Sequence, residues 1–375
     1  MTASHRVLVW TSSYRPRPGG LSVLVTNLVS ALERLGVSVA VLTDSWSSEP
    51  AYEAHGKIDV LRLPFLDALS SREPQRILDL LQRARDFAVG FRPNLIHLHG
   101  LGADTVLFDL LLRRIPLPLV LTRHEHFPED AHLDESSTSR RILQSARFVV
   151  VPTRALANDI RRVAPDIPEE RLEVVPNGIP EPDRDAPPLS IEPLRFLYLG
   201  RLVPQKGVDV ALHAFARFQR SYGNCRFKIV GDGPERPALQ ELVRSLDVDN
   251  VEFAGAVAPE RVWQELVDSS VLLVPSRLAE GFGLVAAEAA LARRTVIASR
   301  VSGLDEVVLD GITGLLVPPD SPAELETVMH RVARDLEFAF GLAERAHTRA
   351  KRLYALDGCA EKYYEVYEKV LRGNP

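Results

Sequence analysis

The sequence predicts an α/β protein with two doubly wound, Rossmann-like domains, and three observations support this fold class. Short apolar segments alternate with helical patterns along most of the chain, which is typical of parallel sheets covered by helices on both faces. The alternation stops once, in the proline-rich stretch 180–193, and then begins again. A chain of 375 residues is also long enough for two domains, each with its own core.

The first half opens with a predicted strand, a loop that carries Gly19 and Gly20, and a helix over residues 21–35 that ends at Gly36. The predicted strands of this half are residues 7–10, 38–43, 95–98, 119–122 and 148–151. Because helical patterns lie between most of them, we expect the carboxyl ends of these strands to gather at one edge of a sheet, where ligands bind.

The second half repeats this opening. A strand at residues 195–199 leads through the loop 200–207 into a helix over residues 208–220. Further strands are predicted at residues 227–230, 251–254, 271–274 and 295–298. The last helix, residues 360–371, carries three tyrosines, and their helical spacing indicates a face packed on a core.

The bulk composition limits the classes of function. The net charge is −5 and the pI is about 6.1, whereas nucleic-acid-binding proteins normally carry a basic excess, so we expect no nucleic-acid partner. Cys225 and Cys359 are the only cysteines, too few for a disulfide framework or a zinc motif. With no signal peptide and no apolar run of transmembrane length, we expect a cytoplasmic protein.

One segment raises the question of a peripheral membrane contact. Residues 70–87 place four arginines among apolar residues, a composition that suits an acidic bilayer surface. Glu73, Asp79 and Asp86 dilute that charge, so we favour a helix face in contact with water.

The stretch from residue 275 to 288 carries the strongest chemical signal. Glu280 and Glu288 stand eight residues apart, Gly281 and Gly283 lie between them, and the stretch joins an apolar strand to a helix of small residues. A strand that turns through glycines into a helix presents free backbone N–H groups, which bind phosphate. Two acids beside such a turn suggest a ligand with phosphate and hydroxyl groups, such as a nucleotide sugar.

The loop 200–207 supplies the positive charge that such a ligand needs. Arg201 and Lys206 follow a strand and could neutralise a diphosphate without a metal ion. Cations in loops are usually solvated surface charges, but the anion-binding turn in the same half favours the binding role. Asp232 and Glu306 lie in further glycine-bearing segments that we interpret mainly as turns.

Polar residues also follow the strands of the first half. Gly19 and Gly20, at a helix start, could let a backbone N–H approach a phosphate. Asp44 ends the second strand as in dinucleotide-binding folds, but no G-x-G-x-x-G motif is present, so we discount NAD. His97 and His99 share a strand end, and we expect one to pack in the core and the other to face a ligand.

A charged segment follows the fourth predicted strand. His124 and His126 would share one face if that strand continued. A metal site with Asp130, His132 and Asp134 is conceivable, but this spacing matches no established metal motif. We therefore expect no metal ion.

Together these motifs resemble the retaining glycosyltransferases of family 4, which have the GT-B architecture. The matching pieces run along nearly the whole chain in the family's order: Gly19-Gly20, Val175-Pro176-Asn177-Gly178-Ile179, Gly200-Arg201 with Lys206-Gly207, and the E-x7-E motif from Glu280 to Glu288. The resemblance implies two Rossmann-like domains that face a cleft. Residues 1–178 would form the acceptor-side domain and residues 179–357 the nucleotide-sugar-binding domain, with a C-terminal helix, 358–375, that crosses back to the first domain.

The resemblance also implies roles for single residues. Arg201 and Lys206 would hold the donor diphosphate and stabilise the leaving nucleotide. Glu288 would bind the ribose hydroxyls, Glu280 would contact the donor sugar, and His124 would lie beside that sugar. The other implied donor-binding positions are Gly20, Gly200, Phe282, Gly283 and Leu284, and the positions that we place on the acceptor side are His99, Arg123 and His126.

The reaction implied by the resemblance is transfer of a hexosyl group from a UDP- or GDP-hexose to an acceptor hydroxyl, with retention of the anomeric configuration. The departing phosphate oxygen would deprotonate the acceptor on the same face of the sugar. No cofactor or metal ion would be needed, because two cations and a helix N-terminus neutralise the leaving group. The acceptor, whether a sugar, a lipid-linked molecule or another small molecule, is not indicated, and residues 123–134 depart most from the family.

Two other functions fit the same motifs. An epimerase or hydrolase of nucleotide sugars would share the fold and would release nucleotide without an acceptor. A binding module with a degenerate site would bind the donor without turnover, although the joint presence of so many polar site residues argues against it.

Overall fold

The computed structural model describes residues 5–45, 49–112, 115–134, 136–182, 186–187 and 193–373. The chain forms two compact units, the first from residues 1–178 with residues 356–375 and the second from residues 179–355. The proline-rich stretch 180–193 begins at the junction, and residues 183–185 and 188–192 of it lie outside the described residues.

The first unit is built on a sheet whose strand order is β3-β4-β2-β1-β5-β6-β7-β8 in the part of the chain that the structure describes. These strands are β1 (Arg6–Thr11), β2 (Ser38–Asp44), β3 (Tyr52–His55), β4 (Ile58–Leu63), β5 (Leu95–His99), β6 (Leu119–Thr122), β7 (Phe148–Val151) and β8 (Leu172–Val174). Strands β1, β5, β6 and β7 are almost entirely buried, as their continuous apolar sequences require of strands covered on both faces.

Helices cover both faces of this sheet. They are α1 (Gly20–Arg34), α2 (Phe65–Ser71), α3 (Pro74–Phe91), α4 (Thr105–Leu112), α5 (Thr138–Ser145) and α6 (Arg154–Val163), with a short 3-10 turn at Glu169–Arg171. Helix α1 buries a stripe of apolar side chains at helical spacing that includes Val25, Leu28, Val29 and Leu32.

The second unit has a parallel sheet in the order β11-β10-β9-β12-β13-β14. Its strands are β9 (Leu194–Leu199), β10 (Cys225–Val230), β11 (Val251–Gly255), β12 (Val271–Val274), β13 (Thr295–Ser299) and β14 (Leu315–Val317). Its helices are α7 (Val208–Tyr222), α8 (Arg236–Ser245), α9 (Pro259–Val267), α10 (Leu284–Leu291), α11 (Leu304–Val307), α12 (Pro322–Arg334) and α13 (Leu336–Leu353), and a 3-10 turn forms at Pro204–Lys206.

The last helix, α14 (Leu356–Leu371), belongs to the first unit. It packs against α1 and buries one face in the core that α1 shares with β1 and β2. The side chains that it buries are Leu356, Cys359, Ala360, Tyr363, Val366, Tyr367 and Val370. The tyrosine-bearing face predicted from the sequence is therefore a core face.

The structure corrects two expectations about the first half. The sheet is not entirely parallel, because β3 pairs antiparallel with β4 as a short edge hairpin that turns at Gly56. Residues 70–87 do not form one helix. The chain breaks between α2 and α3, where Arg72 adopts a left-handed conformation (φ 57°) and Glu73 is extended, as expected of the residue before Pro74.

Among the helices of the described residues, none is long and apolar enough to cross a bilayer.

Candidate functional site

The strand order of the second unit places the two motif-bearing loops side by side. Strand β10 lies on one side of β9 in the sheet, and β12, which comes later in the chain, lies on the other side of β9. Such a reversal opens a crevice at the carboxyl ends of the two central strands. The loop 200–207 follows β9 and the segment 275–283 follows β12, so the topology brings both to this point.

A direct contact joins these two loops. The Lys206 ammonium donates to Glu280 Oε1 at 2.5 Å, and the Ser276 hydroxyl donates to the same carboxylate oxygen. The side chains of Lys206 and Glu280 are 28% and 17% exposed. The ammonium and the carboxylate are therefore held together at the rim of the crevice, where solvent still reaches both.

Glycines allow the backbones around this pair to approach closely. A Cβ on Gly207 (φ 62°) would lie 2.1 Å from the carbonyl oxygen of Pro275, and one on Gly303 (φ 89°) would lie 1.7 Å from that of Glu280. Neither distance is compatible with a side chain. Glu280 is also fixed by its backbone N–H, which donates to Ser302 O at 2.8 Å.

The N-terminus of α10 completes the anion-binding character of the crevice. Gly283, in a left-handed conformation, precedes the helix and provides no capping side chain, so the N–H groups at Leu284 and beyond have no side-chain cap of their own. Phe282 buries its ring against Tyr354, with centroids 5.2 Å apart. Phe282 can therefore offer a ligand only its backbone.

Glu288 lies one turn further along α10. It retains partial exposure, but burial raises the pKa of its carboxyl group to about 7. A carboxyl group that titrates near neutral pH can accept hydrogen bonds from hydroxyl groups when it is ionised.

Arg201 is the exposed cation of the first loop. It follows Gly200 directly, it makes no ion pair within the described residues, and its carbonyl accepts a 2.7 Å hydrogen bond from the Tyr198 hydroxyl. The neighbouring turn at Asp232 packs on this loop, since Leu202 N donates to Asp232 O at 2.9 Å. The Asp232 carboxylate accepts from its own turn and from Arg236, so in this structure it stabilises the turn.

In the first unit, three histidines gather where β5 and β6 end. His97 is satisfied on both ring nitrogens, by the Tyr367 hydroxyl at 2.6 Å and the Thr122 hydroxyl at 2.7 Å. His99 Nδ1 and His124 Nε2 are 3.0 Å apart and share one hydrogen bond. The expectation that one histidine of β5 would be a satisfied core residue agrees with the position of His97, but His99 is buried as well (2% exposed).

Burial keeps these imidazoles neutral. It lowers the pKa of His97 to about 3 and that of His124 to about 4, and it lowers the pKa of His99 well below its ordinary value. His99 Nε2 and His124 Nδ1 are buried without a hydrogen-bond partner in the described part of the chain. Both residues line a small cavity with Asn177 and Gly178, so this cluster has unused hydrogen-bonding capacity.

The structure separates His126 from His124. Strand β6 ends at Thr122, so the continued strand that would place both histidines on one face does not form. His126 instead pairs with Asp159 at 2.6 Å through Nδ1. Arg123 is buried (7% exposed), lies 4.4 Å from the Phe127 ring centroid and donates to His126 O at 3.2 Å.

Gly20 is the first residue of α1, after Gly19 with φ 130°. A Cβ built on either glycine would meet none of the described atoms within 4 Å. The space beside these two glycines is therefore open, in contrast to the space beside Gly207 and Gly303.

Sequence reasoning did not identify three groups that take part in these clusters. Ser276 hydrogen-bonds to Glu280, and its position four residues earlier in the same motif was an available signal. The sequence predicts only a core position for Tyr363 and Tyr367, yet their hydroxyls bond to Thr122 and His97. No sequence signal links a helix tyrosine to a histidine 270 residues away.

Comparison with known proteins identifies the family. Residues 18–181 match the family described as Glycosyltransferase Family 4, and residues 193–335 match Glycosyl transferases group 1. The chain belongs to the family 4 glycosyltransferases. This glycosyltransferase is 27% identical to the α-D-kanosaminyltransferase of Streptomyces kanamyceticus over 388 residues, which cover 93% of the chain and 100% of that protein.

Solved structures show the same fold. The sucrose-phosphate synthase of Thermosynechococcus elongatus matches with a TM-score of 0.83 at 22% identity, over 99% of this glycosyltransferase and 100% of that chain. Anabaena Alr3699/HepE, in complex with UDP-glucose, matches with a TM-score of 0.77 at 18% identity, over 97% and 99% of the two chains. The predicted fold class, GT-B with Rossmann-like units, is confirmed.

Proposed function

We propose that this glycosyltransferase transfers a hexosyl group from a nucleotide diphosphate sugar to an acceptor hydroxyl, with retention of configuration and without a metal ion. The observation that carries the proposal is the contact of Lys206 with Glu280 at the switch point of the second sheet, where the loop that carries Arg201 follows β9 and α10 follows β12. The likeness to a protein crystallised with UDP-glucose supports UDP-hexose as the first donor to test, with GDP-hexose as the next.

The chemistry follows from where charge develops. Breaking the bond between the sugar and the phosphate leaves negative charge on the diphosphate, and Lys206, Arg201 and the dipole of α10 would stabilise it. Glu288 would accept hydrogen bonds from the ribose hydroxyls. Positive charge grows at the anomeric carbon, and Glu280 is the carboxylate nearest to Lys206 that could face it.

Retention would follow if the leaving phosphate oxygen takes the acceptor proton on the face from which it departs. The acceptor oxygen then bonds to the anomeric carbon on that same face, and the products are the glycoside and the protonated nucleoside diphosphate. The imidazole of His124, neutral because burial lowers its pKa, is suited to form a hydrogen bond rather than to carry a charge.

The decisive experiment combines a donor panel with product analysis. Binding of UDP-, GDP- and ADP-sugars is measured by thermal shift, because a ligand of the folded state raises the unfolding temperature. The best donor is then incubated with candidate acceptors in the presence of a chelator, and the anomeric configuration of the product is read by NMR. A product of inverted configuration, or activity that the chelator abolishes, would contradict the proposal.

The same assay separates the rival functions. Nucleotide release at full rate without an acceptor would indicate a hydrolase, and conversion of the free donor sugar would indicate an epimerase. Donor binding without turnover on any acceptor would indicate a binding module.

Replacement of Lys206 tests the central residue. Lys206→Ala should lower kcat about 10²- to 10³-fold, because one preorganised charge on the leaving group is lost, while the circular dichroism spectrum stays unchanged. Lys228→Ala is the matched control, since Lys228 also pairs with a carboxylate of the second unit (Glu265, 2.6 Å). Equal activity of the two variants would remove Lys206 from the mechanism.

A further inference from the structure

The turn that carries Lys206 is short and has little structure of its own. Pro204–Lys206 forms a single 3-10 turn between β9 and α7, and a three-residue turn cannot by itself fix a long side chain to within the tolerance that transition-state stabilisation demands. Something outside the turn must therefore determine where the Lys206 ammonium lies.

Arg277 is the side chain that holds this turn. Its guanidinium donates to the Pro204 carbonyl at 2.7 Å and to both carboxylate oxygens of Asp209 at 2.9 and 2.6 Å. It also donates to the Asp320 carboxylate, and its backbone N–H donates to Gln205 O at 2.8 Å. Arg277 thus contacts the turn at two consecutive carbonyls, those of Pro204 and Gln205, and links the turn to the first turn of α7 through Asp209. We call this set of hydrogen bonds the clamp.

The position of Arg277 in the chain makes the clamp specific to the site. Arg277 follows Ser276 and precedes Glu280 by three residues, so one segment after β12 carries both the carboxylate partner of Lys206 and the clamp on its turn. The contact of Gly207 with Pro275 O brings the same two segments together. A displacement of the turn therefore changes the distance from Lys206 to Glu280 and to the N-terminus of α10.

The chemistry of the clamp requires arginine. A guanidinium presents five N–H donors in a planar fork that can hold a carboxylate with two bonds and a carbonyl with a third. A lysine at this position would keep the charge but could not reach Pro204, Asp209 and Asp320 in the same geometry. Although burial opposes it, the hydrogen bonds from Arg277 lower the pKa of Asp209, so the partner stays ionised.

We propose that Arg277 is a positioning residue for donor binding, which acts by fixing the Pro204–Lys206 turn so that the Lys206 ammonium meets the diphosphate. This inference rests on the proposed function of Lys206. Arg277 itself need not touch the donor, because its donors are already engaged by Pro204, Asp209 and Asp320.

A double-mutant cycle tests the inference through binding rather than turnover. UDP, GDP and ADP are titrated calorimetrically into the wild type, and the nucleoside diphosphate that binds most tightly is then titrated into Arg277→Lys, Lys206→Ala and the double variant. We expect Arg277→Lys to weaken binding at least roughly fivefold when Lys206 is present and less than about twofold when Lys206 is already replaced by alanine. The effects of the two substitutions should not add, because the two residues act as a unit.

Two outcomes overturn the inference. An equal loss in both backgrounds would show that Arg277 does not act through Lys206, and unchanged binding in Arg277→Lys would show that the clamp is dispensable. By contrast, a wild type that binds none of the three nucleoside diphosphates would contradict the proposed function itself, so the two failures are distinguishable.

A structural control separates positioning from general stability. Arg294 is a buried arginine of the same unit (1% exposed) that donates to Leu266 O and Val267 O, away from the motif loops. Arg294→Lys should lower the unfolding temperature without changing the affinity for the nucleoside diphosphate. If Arg277→Lys fails to fold, Asp209→Asn, which weakens the same clamp from its other side, takes its place in the cycle.

Discussion

Glu288 illustrates how one residue serves a ligand at a cost to the fold. Burial raises the pKa of its carboxyl group to about 7, so the ionised form is disfavoured in the folded chain. In the unfolded chain its pKa is lower, at its ordinary value of about 4.3. Between these two values the folded state binds more protons than the unfolded state, and stability therefore falls as the pH rises through this window.

A pH titration of binding tests this assignment. Ribose hydroxyls donate to the ionised carboxylate, so the affinity for a nucleoside diphosphate should fall as the pH drops below about 7. The comparison between wild type and Glu288→Gln, by calorimetry from pH 8 to pH 5.5, removes the titration of the ligand's own phosphates. Parallel pH profiles in the two proteins would argue that Glu288 does not titrate at the site.

The same variant has an opposite effect on stability. At pH 8 the glutamine removes a partly buried charge, so Glu288→Gln should unfold at a higher temperature than the wild type. At pH 4.5, where the wild-type carboxyl is already largely protonated in the folded chain, the difference should disappear. The pH-dependent difference is read from thermal unfolding followed by circular dichroism.

At the scale of an element, the loop between β9 and α7 depends on one glycine. Gly207 has a left-handed conformation, and the carbonyl oxygen of Pro275 occupies the space that a side chain at this position would need. We predict that Gly207→Ala loses more free energy of unfolding than the roughly 1–2 kcal/mol of the left-handed conformation alone. Because the loop must move, the variant should also bind nucleoside diphosphate more weakly.

Gly311 provides the matched control. It has φ 68° in the same unit, and a Cβ there would meet none of the described atoms within 4 Å. Gly311→Ala should therefore lose only the free energy that the left-handed conformation costs, and it should bind nucleoside diphosphate as tightly as the wild type does. Equal losses in the free energy of unfolding of the two variants, measured by urea denaturation, would contradict this prediction, because the overlap with the Pro275 carbonyl would then be relieved without any loss of stability.

Helix α14 contributes polar bonds as well as apolar surface. Tyr367→Phe removes the hydroxyl that bonds to His97 Nδ1 and leaves a buried ring nitrogen unpaired, which should cost about 1–3 kcal/mol in the free energy of unfolding. Tyr364 lies on the same helix and packs its ring on His5. Tyr364→Phe should cost much less, and a reversed order in urea denaturation would contradict the role of the histidine bond.

Local patterns predicted most of the elements, because both the apolar run of a strand and the stop signal of a helix lie within a few residues. The strands at residues 119–122, 148–151 and 271–274 agree with β6, β7 and β12. The predicted strands leave out β3, β4, β8 and β14. The sequence of β3, Tyr-Glu-Ala-His, is mostly exposed and carries no apolar run, and β8 and β14 are only three residues long.

The candidate site was predictable to the extent that topology dictates it. Lys206 and Glu280 are 74 residues apart, but each follows a central parallel strand, and the rule for strand ends brings them together. The histidine cluster has no such rule, because its partners Tyr363 and Tyr367 arrive on a helix from the far end of the chain. The clamp by Arg277 depends on three separate loops whose conformations no local pattern specifies.

At the scale of the whole molecule, the first unit is assembled from both ends of the chain. Each large apolar side chain that α14 buries contributes about 1.5–3 kcal/mol, and together they approach the net stability of a typical domain, about 5–15 kcal/mol. We predict that a chain ending at residue 355 cannot keep the first unit folded.

Hydrogen exchange measures this effect in each unit. In the truncated chain, amides of β1 and β5 should lose protection, whereas those of β9 and β12 should keep it. A chain that ends at residue 371 retains α14 and serves as the control, with protection in both sheets. Full protection of β1 in the shorter chain would show that α14 is not needed for the first core.

The split composition of the first unit also has a consequence for synthesis on the ribosome. Strands β1 to β8 are made first, but the face of α1 that receives α14 stays uncovered while residues 179–355 are translated. At about 5–20 residues per second this interval lasts about 10 to 35 s. During that time the nascent chain exposes an apolar face, so we expect the yield to depend on translation rate and chaperone supply as well as on the stability of the finished protein.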